Sequence, residues 1–359
     1  MLAERMKSLS PYVPGEQPQD KKYIKLNTNE NPYSPSPKIK QFLENFEIEK
    51  LRLYPDPLSA KLKAVIANDK NLSPENVFIS NGSDEALSFA YYAFFDSLRG
   101  ELLFPEFTYS FYPVYADYYG IPYKRVPLDP QFNINFKDYL SQKACGIILP
   151  NPNAPTGIAL PMSDIRHFLD TYEKDRVVII DEAYIDFSTQ PSFLKELNRY
   201  PNLIVMQTLS KAWGSAGVRM GMVYASEEII YLFNKVKHPY NINYLTQEYV
   251  LKLMDKSSQI QEWIQILLKE REVLCRNLRR LSFVKTVYPS DANFLLVKME
   301  DANAVYEYMV KRGIIMRNRN SVSLCRNCIR ITVGEPEENK ILLEVLSAFP
   351  KHKEEINNT

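Results

Sequence analysis

Seven short apolar runs recur between residues 77 and 224, and they restrict this chain to very few folds. They are Val77-Ile79, Glu101-Phe104, Tyr123-Val126, Gly146-Leu149, Val177-Ile180, Leu203-Gln207 and Met220-Tyr224. Several show no polar alternation, as strands buried on both faces do. Helical patterns lie between some of them. The clearest opens at Ser83, a good N-cap, and runs to Leu98 with acidic residues in its first turn. Another covers Ser163 to Tyr172. Strands alternating with helices predict an α/β fold whose mostly parallel sheet lies between helices.

After Tyr224 the pattern changes. A long helical stretch runs from Leu245 to Leu281 with a break near residues 255–258. Strand signals then return at Val284-Tyr288, Phe294-Lys298, Ile314-Arg317 and Ile329-Val333, with helices at Ala302-Lys311 and Glu338-Ala348. This reads as a smaller α+β unit. The first 37 residues hold six prolines, a density that favours an extended arm over regular structure. The expected organisation is an arm with part of the small domain at 1–44, a large domain at 45–250 and a small domain at 251–359.

Composition removes other possibilities. Lys+Arg 44 against Asp+Glu 43 gives no global pull towards nucleic acid or an anionic membrane. No apolar stretch approaches the ~20 residues that a membrane helix needs, and residues 1–7 lack an apolar signal core. A soluble cytoplasmic protein is expected. Cys325 and Cys328 have the spacing of a zinc or redox pair, but no second pair follows, so ordinary reduced thiols and no metal are expected.

The chain has 11 glycines, and five of them fall in three loops that follow predicted strands. Such loops at the carboxyl ends of a parallel sheet are where α/β proteins bind ligands. Gly82, Ser83 and Asp84 open a helix, whose free N–H groups suit a phosphate; plain N-capping is the compatible alternative. Asn151-Pro-Asn-Ala-Pro-Thr-Gly157 follows the fourth run. Asp181 ends the fifth, where an acid is costly unless it meets a cation or donors. Thr208-Leu-Ser-Lys211 ends the sixth and leads through Gly214 and Gly217 to Arg219 and Gly221. An amine beside an anion-binding turn suits a phosphorylated aldehyde held on a lysine.

Taken together, Asn-Pro-Asn-Ala-Pro-Thr-Gly, Asp181-x-x-Tyr184, Ser210-Lys211 and Arg219 resemble the fold-type I pyridoxal 5′-phosphate aminotransferases. Leu26-Asn-Thr-Asn-Glu-Asn-Pro32, Tyr54-Pro-Asp-Pro57 and Cys328-Ile-Arg-Ile-Thr-Val-Gly334 narrow the resemblance to histidinol-phosphate aminotransferases. The resemblance implies that Lys211 holds the cofactor aldehyde and also moves the substrate α-proton. It implies that Asp181 meets the pyridine nitrogen, that Tyr184 donates to the ring's phenolic oxygen, and that Tyr109 stacks on the ring. Gly82, Ser83, Asp84, Thr208, Ser210 and Arg219 would surround the phosphate. Tyr54 would reach it from the neighbouring subunit of a homodimer. In this family an asparagine usually precedes Pro-Thr-Gly and contacts the phenolic oxygen. Here that position is Ala154; Asn153, one residue earlier, is expected to take over the contact, with Tyr184 holding that oxygen alone as the alternative.

For substrate, the resemblance assigns Arg330 to a carboxylate and Arg317 to a second anion, with Tyr12 and Asn29 of the arm closing over the pocket. Arginine suits both roles because its fork binds carboxylate or phosphate bidentately. The implied reaction is transamination between L-histidinol phosphate and 2-oxoglutarate, yielding imidazole-acetol phosphate and glutamate in histidine biosynthesis. Aromatic amino acid transamination and threonine-phosphate decarboxylation use the same cofactor chemistry and stay open. So does a non-catalytic regulatory domain of the same fold.

Overall fold

The computed structural model describes residue 16 and residues 22–33, 37–255 and 257–350. All seven runs form strands of one sheet. These are β1 (Val77–Ser80), β2 (Glu101–Pro105), β3 (Tyr123–Val126), β4 (Ala144–Pro150), β5 (Val177–Asp181), β6 (Leu203–Thr208) and β7 (Gly221–Tyr224). Their order across the sheet is β1-β7-β6-β5-β4-β2-β3. β7 alone runs antiparallel to its neighbours. The reason lies in the connection. β6 returns to β7 through residues 209–220, which hold only the short turn Ala216–Val218 and no α-helix to carry the chain across the sheet, so the return strand pairs antiparallel.

Alternate residues of the strands feed two separate cores. Ile179 joins Phe78, Ile148, Ile204 and Val223 on one face, while Val178 and Ile180 join Ile147, Leu149 and Val205 on the other. Burial on both faces is why these runs lack polar alternation. Helix α1 (Gly82–Phe94) follows β1, and α2 (Tyr112–Tyr119) lies between β2 and β3. The start of α1 differs from expectation. Asn81 occupies the cap position with no side-chain cap bond, and its N–H is met by the Glu85 carboxylate at 2.8 Å. Ser83 is thereby left facing the loop. The helix also stops at Phe94, where Phe95 turns extended to pack in the core.

The long helical stretch divides as its break suggested, into Tyr244–Met254 and Ser257–Leu278. Beyond it, β8 (Val284–Val287), β9 (Phe294–Met299), β10 (Arg317–Asn318) and β11 (Cys328–Thr332) form an antiparallel sheet ordered β10-β11-β9-β8. The run Ile314-Arg317 is not one strand. Ile314–Ile315 pairs in parallel with Ile24–Lys25, and only Arg317 turns into the antiparallel sheet. The arm is thus bonded to the C-terminal elements, and its residues 26–31 continue from there towards the strand ends of the larger sheet.

Candidate functional site

The carboxyl ends of β4, β5 and β6 and the start of α1 surround a solvent-open cavity of about 630 Å³. Ser83, Asp84, Tyr109, Tyr112, Ala154, Asp181, Tyr184, Thr208, Ser210, Lys211 and Arg219 line it, with Pro150, Pro152 and Ala183.

The return from β6 to β7 carries both cations. Thr208 pairs with Gly221 across the two strands, and Leu209 N–H bonds the Met220 carbonyl at 3.0 Å, so the loop is closed at its base. Lys211 leaves this loop and donates from Nζ to the Thr28 carbonyl at 3.3 Å. Its Nζ also lies 5.6 Å from the centre of the Tyr184 ring. Arg219, at φ 58, turns back over α1. It donates to Asp84 Oδ2 at 3.2 Å and to Ser210 Oγ at 3.4 Å. Gly82 makes this approach possible: it sits at φ +77, and a Cβ there would lie 2.4 Å from Arg219 Nη2. A Cβ at Gly221 would likewise meet Gly82 at 2.6 Å. The two glycines let α1, β7 and the guanidinium converge.

Asp181 closes the floor. It is 8% exposed, and its two carboxylate oxygens accept from the Tyr112 hydroxyl at 2.6 Å and the Ala183 N–H at 3.1 Å. Burial pushes its pKa up. The bonds from Tyr112 and Ala183 oppose that, the Asp84 carboxylate adds to it, and Lys211 opposes it. Tyr109 stands against Tyr112 edge to face, with ring centroids 5.6 Å apart, and donates to Asp84 Oδ1 at 2.9 Å. Asp84 therefore spends its side chain on Tyr109 and Arg219. Toward an anion at this helix start it offers only backbone N–H.

Next to Asp181, Glu182 is 1% exposed and ties the ends of β5 and β6 together. It accepts from Ser192 Oγ at 2.5 Å, Phe193 N–H at 2.7 Å and Gln207 Nε2 at 2.8 Å. Burial raises its carboxyl to about 7 against those donors.

Next to Lys211 and Tyr184 the arm supplies a row of contacts, although neither the arm residues nor Arg317 and Arg330 line the cavity themselves. The Asn27 carbonyl accepts from Arg330 Nη2 at 2.9 Å, Asn29 Nδ2 donates to the Tyr184 hydroxyl at 2.9 Å, and Asn31 Nδ2 donates to the Ala212 carbonyl at 2.7 Å. Arg330 lies with its guanidinium carbon 5.2 Å from the Phe294 ring centre. Arg317 is its direct cross-strand partner.

Nine of the expected cofactor contacts thus meet in one cavity: Ser83, Asp84, Tyr109, Asp181, Tyr184, Thr208, Ser210, Lys211 and Arg219. Gly82 stands beside them under Arg219. Asn153 does not join. Its Nδ2 donates to the Phe107 carbonyl at 2.7 Å, it is 5% exposed, and Ala154 lines the cavity in its place. The one-residue offset turns the amide away from the site. Asn29 lies beside the cavity, with its amide committed to Tyr184. Tyr54 is 81% exposed, stacked on Tyr240 at 4.4 Å, and outside its own chain's cavity. Tyr12 lies outside the described residues. Tyr112, Asn27, Asn31 and Glu182 were not singled out from the sequence. Tyr112 follows Tyr109 by three residues beside Pro113, a helix-start spacing that puts both rings at one end of α2. Cys325 and Cys328 are free, buried thiols, raised by burial to about 11 and about 12, and the described residues contain no cluster able to hold a metal.

Residues 21–346 match the family model for aminotransferase class I and II. The chain belongs to that family. It is a transaminase that depends on pyridoxal 5′-phosphate. A histidinol-phosphate aminotransferase of Syntrophus aciditrophicus (strain SB) is 44% identical over 96% of this chain and 97% of its own. The crystal structure of the histidinol-phosphate aminotransferase from Clostridium acetobutylicum matches with a TM-score of 0.82 and 26% identity, over 90% of this chain and 98% of that one. The fold is also that of the Sinorhizobium meliloti histidinol-phosphate aminotransferase solved in complex with pyridoxal 5′-phosphate. There the TM-score is 0.87 and the identity 22%, over 96% of both chains.

The cavity fits that cofactor on its own geometry. A buried carboxylate at the floor, raised by desolvation, is what a protonated ring nitrogen relieves. A guanidinium, two hydroxyls and a helix start above a glycine that admits no Cβ match a phosphate. Lys211 stands between them.

Proposed function

We propose that this enzyme transfers the amino group of L-histidinol phosphate to 2-oxoglutarate, giving imidazole-acetol phosphate and L-glutamate. The carrying observation is the Arg317–Arg330 pair on β10 and β11. Residues directly opposite across antiparallel strands share a face, so the two guanidinium forks belong to one side of the sheet. Their forks serve the phosphate of one substrate and a carboxylate of the other. The identity with the Syntrophus aciditrophicus relative supports the same reading.

In this reading Lys211 Nζ anchors the cofactor and then takes up and returns the substrate α-proton, serving as nucleophile and base in one residue. Asp181 keeps the ring nitrogen protonated. Tyr184 donates to the phenolic oxygen, and Tyr109 covers one ring face. Ser83, Thr208, Ser210, Arg219 and the N–H groups following Gly82 hold the phosphate. When bound, the cofactor supplies a carbonyl carbon for the substrate amine and a ring that accepts the electron pair left by the α-proton. The Thr28 carbonyl beside Lys211 Nζ keeps the amine aimed along the arm side of the cavity.

The working unit is a homodimer. Ile48, Leu51, Leu53, Tyr54 and Leu58 are each at least 50% exposed in one short stretch, a density that a partner surface normally covers. Tyr54 on that surface then reaches the partner's phosphate site. The large cofactor-binding domain spans residues 45–250, and the small domain spans 251–359 with part of the arm. No helix among the described residues is long and apolar enough to cross a membrane, in keeping with a cytoplasmic enzyme.

Steady-state comparison of amino donors tests the proposal. Histidinol phosphate should exceed phenylalanine, tyrosine and aspartate in kcat/KM by at least about 10²-fold, the scale set by a buried anion-binding pair. A higher value for any of those amino acids, or release of carbon dioxide from threonine phosphate, would overturn it.

A further inference from the structure

The hydrogen bonds around Asn29 fix the direction of one proton in the site. Asn29 N–H lies 3.0 Å from Thr332 Oγ1, and a backbone N–H can only donate. Thr332 Oγ1 is therefore the acceptor there, and its single proton is left for Asn29 Oδ1 at 3.2 Å. That bond sets the amide's orientation: Oδ1 faces Thr332, and Nδ2 faces Tyr184. Nδ2 in turn can only donate, so the Tyr184 hydroxyl at 2.9 Å accepts. The phenol's own proton then points elsewhere, and Tyr184 lines the cofactor cavity.

The residues of this arrangement are shielded from solvent. Asn29 is 1% exposed, Thr332 3% and Tyr184 8%. Asn29 holds φ 57, a left-handed conformation that asparagine tolerates better than most residues, and Asn293 Nδ2 grips its carbonyl at 3.0 Å. Ala154, packed against the same small cluster as Tyr184, presents a methyl group to the cavity, and Asn153 is turned away to the Phe107 carbonyl. Of these three residues, Tyr184 alone brings a side-chain donor to the cavity.

We propose that Asn29 is a positioning residue. By donating to Tyr184 it directs the Tyr184 proton into the cavity, so that one phenol supplies the whole side-chain hydrogen bond to the cofactor's phenolic oxygen. This rests on the assignment of Tyr184 to that oxygen. It also links the two sheets: the proton's direction depends on Thr332 of β11, while Tyr184 follows β5. Removing Thr332 from its place would let the amide and the phenol turn.

The pH midpoint of the bound cofactor's visible absorbance tests this. A donor on the phenolic oxygen weakens that oxygen's hold on the titrating proton, so losing the donor raises the midpoint. In the holoenzyme, Tyr184→Phe should raise it by roughly one pH unit, the size of one hydrogen bond to a charged group. Asn29→Ala should raise it in the same direction by a smaller amount, and should add nothing in the Tyr184→Phe background. Thr332→Val, which retains Asn29 but frees its amide, should show the same non-additive rise and serves if Asn29→Ala does not fold. If Tyr184→Phe leaves the midpoint unmoved, the assignment of Tyr184 fails and the proposal with it. If Tyr184→Phe moves the midpoint while Asn29→Ala and Thr332→Val do not, or if their shifts add to it, Asn29 does not orient the phenol.

Discussion

The wall of the cavity and the arm-side wall next to it are built in opposite ways. The wall formed by β4, β5, β6 and α1 consists of strand and helix ends, where each functional side chain sits within a few residues of the element that aims it. Asp181 is the last residue of β5, Thr208 is the last of β6, and Lys211 and Arg219 lie on the loop between Thr208 and Gly221. The other wall joins segments far apart in the chain. Asn29 and Thr332 are 303 residues apart, and so are Arg330 and Asn27; Asn29 and Asn293 are 264 apart. The first wall is rigid because the sheet is buried on both faces. The second depends on an arm docking against a separate sheet, which makes it the part that can respond to substrate.

Damage to the first wall should abolish or weaken cofactor binding and chemistry, while loss of the second wall's arginines should spare cofactor affinity. The largest effect should come from Lys211→Ala. It removes both anchor and base, and should lower kcat by at least about 10⁴-fold and eliminate the borohydride-reducible cofactor link. Mass spectrometry after reduction checks the link directly. Activity near wild type would remove Lys211 from the account. Next in size, Arg219→Ala takes a charge-assisted donor from the phosphate site. Cofactor affinity by equilibrium dialysis should fall by about 10–100-fold while substrate KM, measured at saturating cofactor, changes little. A KM effect exceeding the cofactor effect would blur the division between walls.

The smallest effect is a pH dependence beneath the first wall. Burial raises Glu182 to about 7 in the folded protein, above its unfolded value. A raised acid contributes stability that is fully present below the unfolded pKa and is lost as pH rises through the folded one. The stability advantage of wild type over Glu182→Gln should therefore be greatest near pH 4.5 and shrink as pH rises towards 7. Thermal melts across that window check it, and an advantage that grows with pH would reverse the sign of the account.

The same division explains what could be read from the amino acids. The seven strands, the split helical stretch, the helix start at Ser83 and Asp84, Asp181 and the Lys211–Arg219 turn were legible because each carries a local signal: an apolar run, a glycine turn, an acid ending a buried strand. Tyr109 and Tyr184 were legible only through the resemblance to the family. Asn153 misled because sequence proximity does not give direction. One residue of offset sent its amide to Phe107, while Ala154 took the wall. Ile314-Arg317 read as a single strand because the pattern is continuous, yet its two halves bond to different partners. The bond from Asn29 to Tyr184 had no local signal, because the two lie 155 positions apart. Asn27 and Asn31 escaped notice for the same reason, because their partners lie on other elements. Tyr112 did leave a trace in its spacing from Tyr109, but its meaning depends on Asp181, 69 residues away.

The central claim is that the sheet ends hold the cofactor while the arginines of β10 and β11 hold the substrate anion. It is tested most directly by single-turnover absorbance of holoenzyme Arg330→Ala. Its bound cofactor should keep wild-type affinity. Conversion by glutamate and by histidinol phosphate should each slow by roughly 10²-fold in rate over substrate affinity, as expected for loss of a bidentate anion contact. Loss of cofactor affinity with substrate conversion otherwise unchanged would contradict the claim.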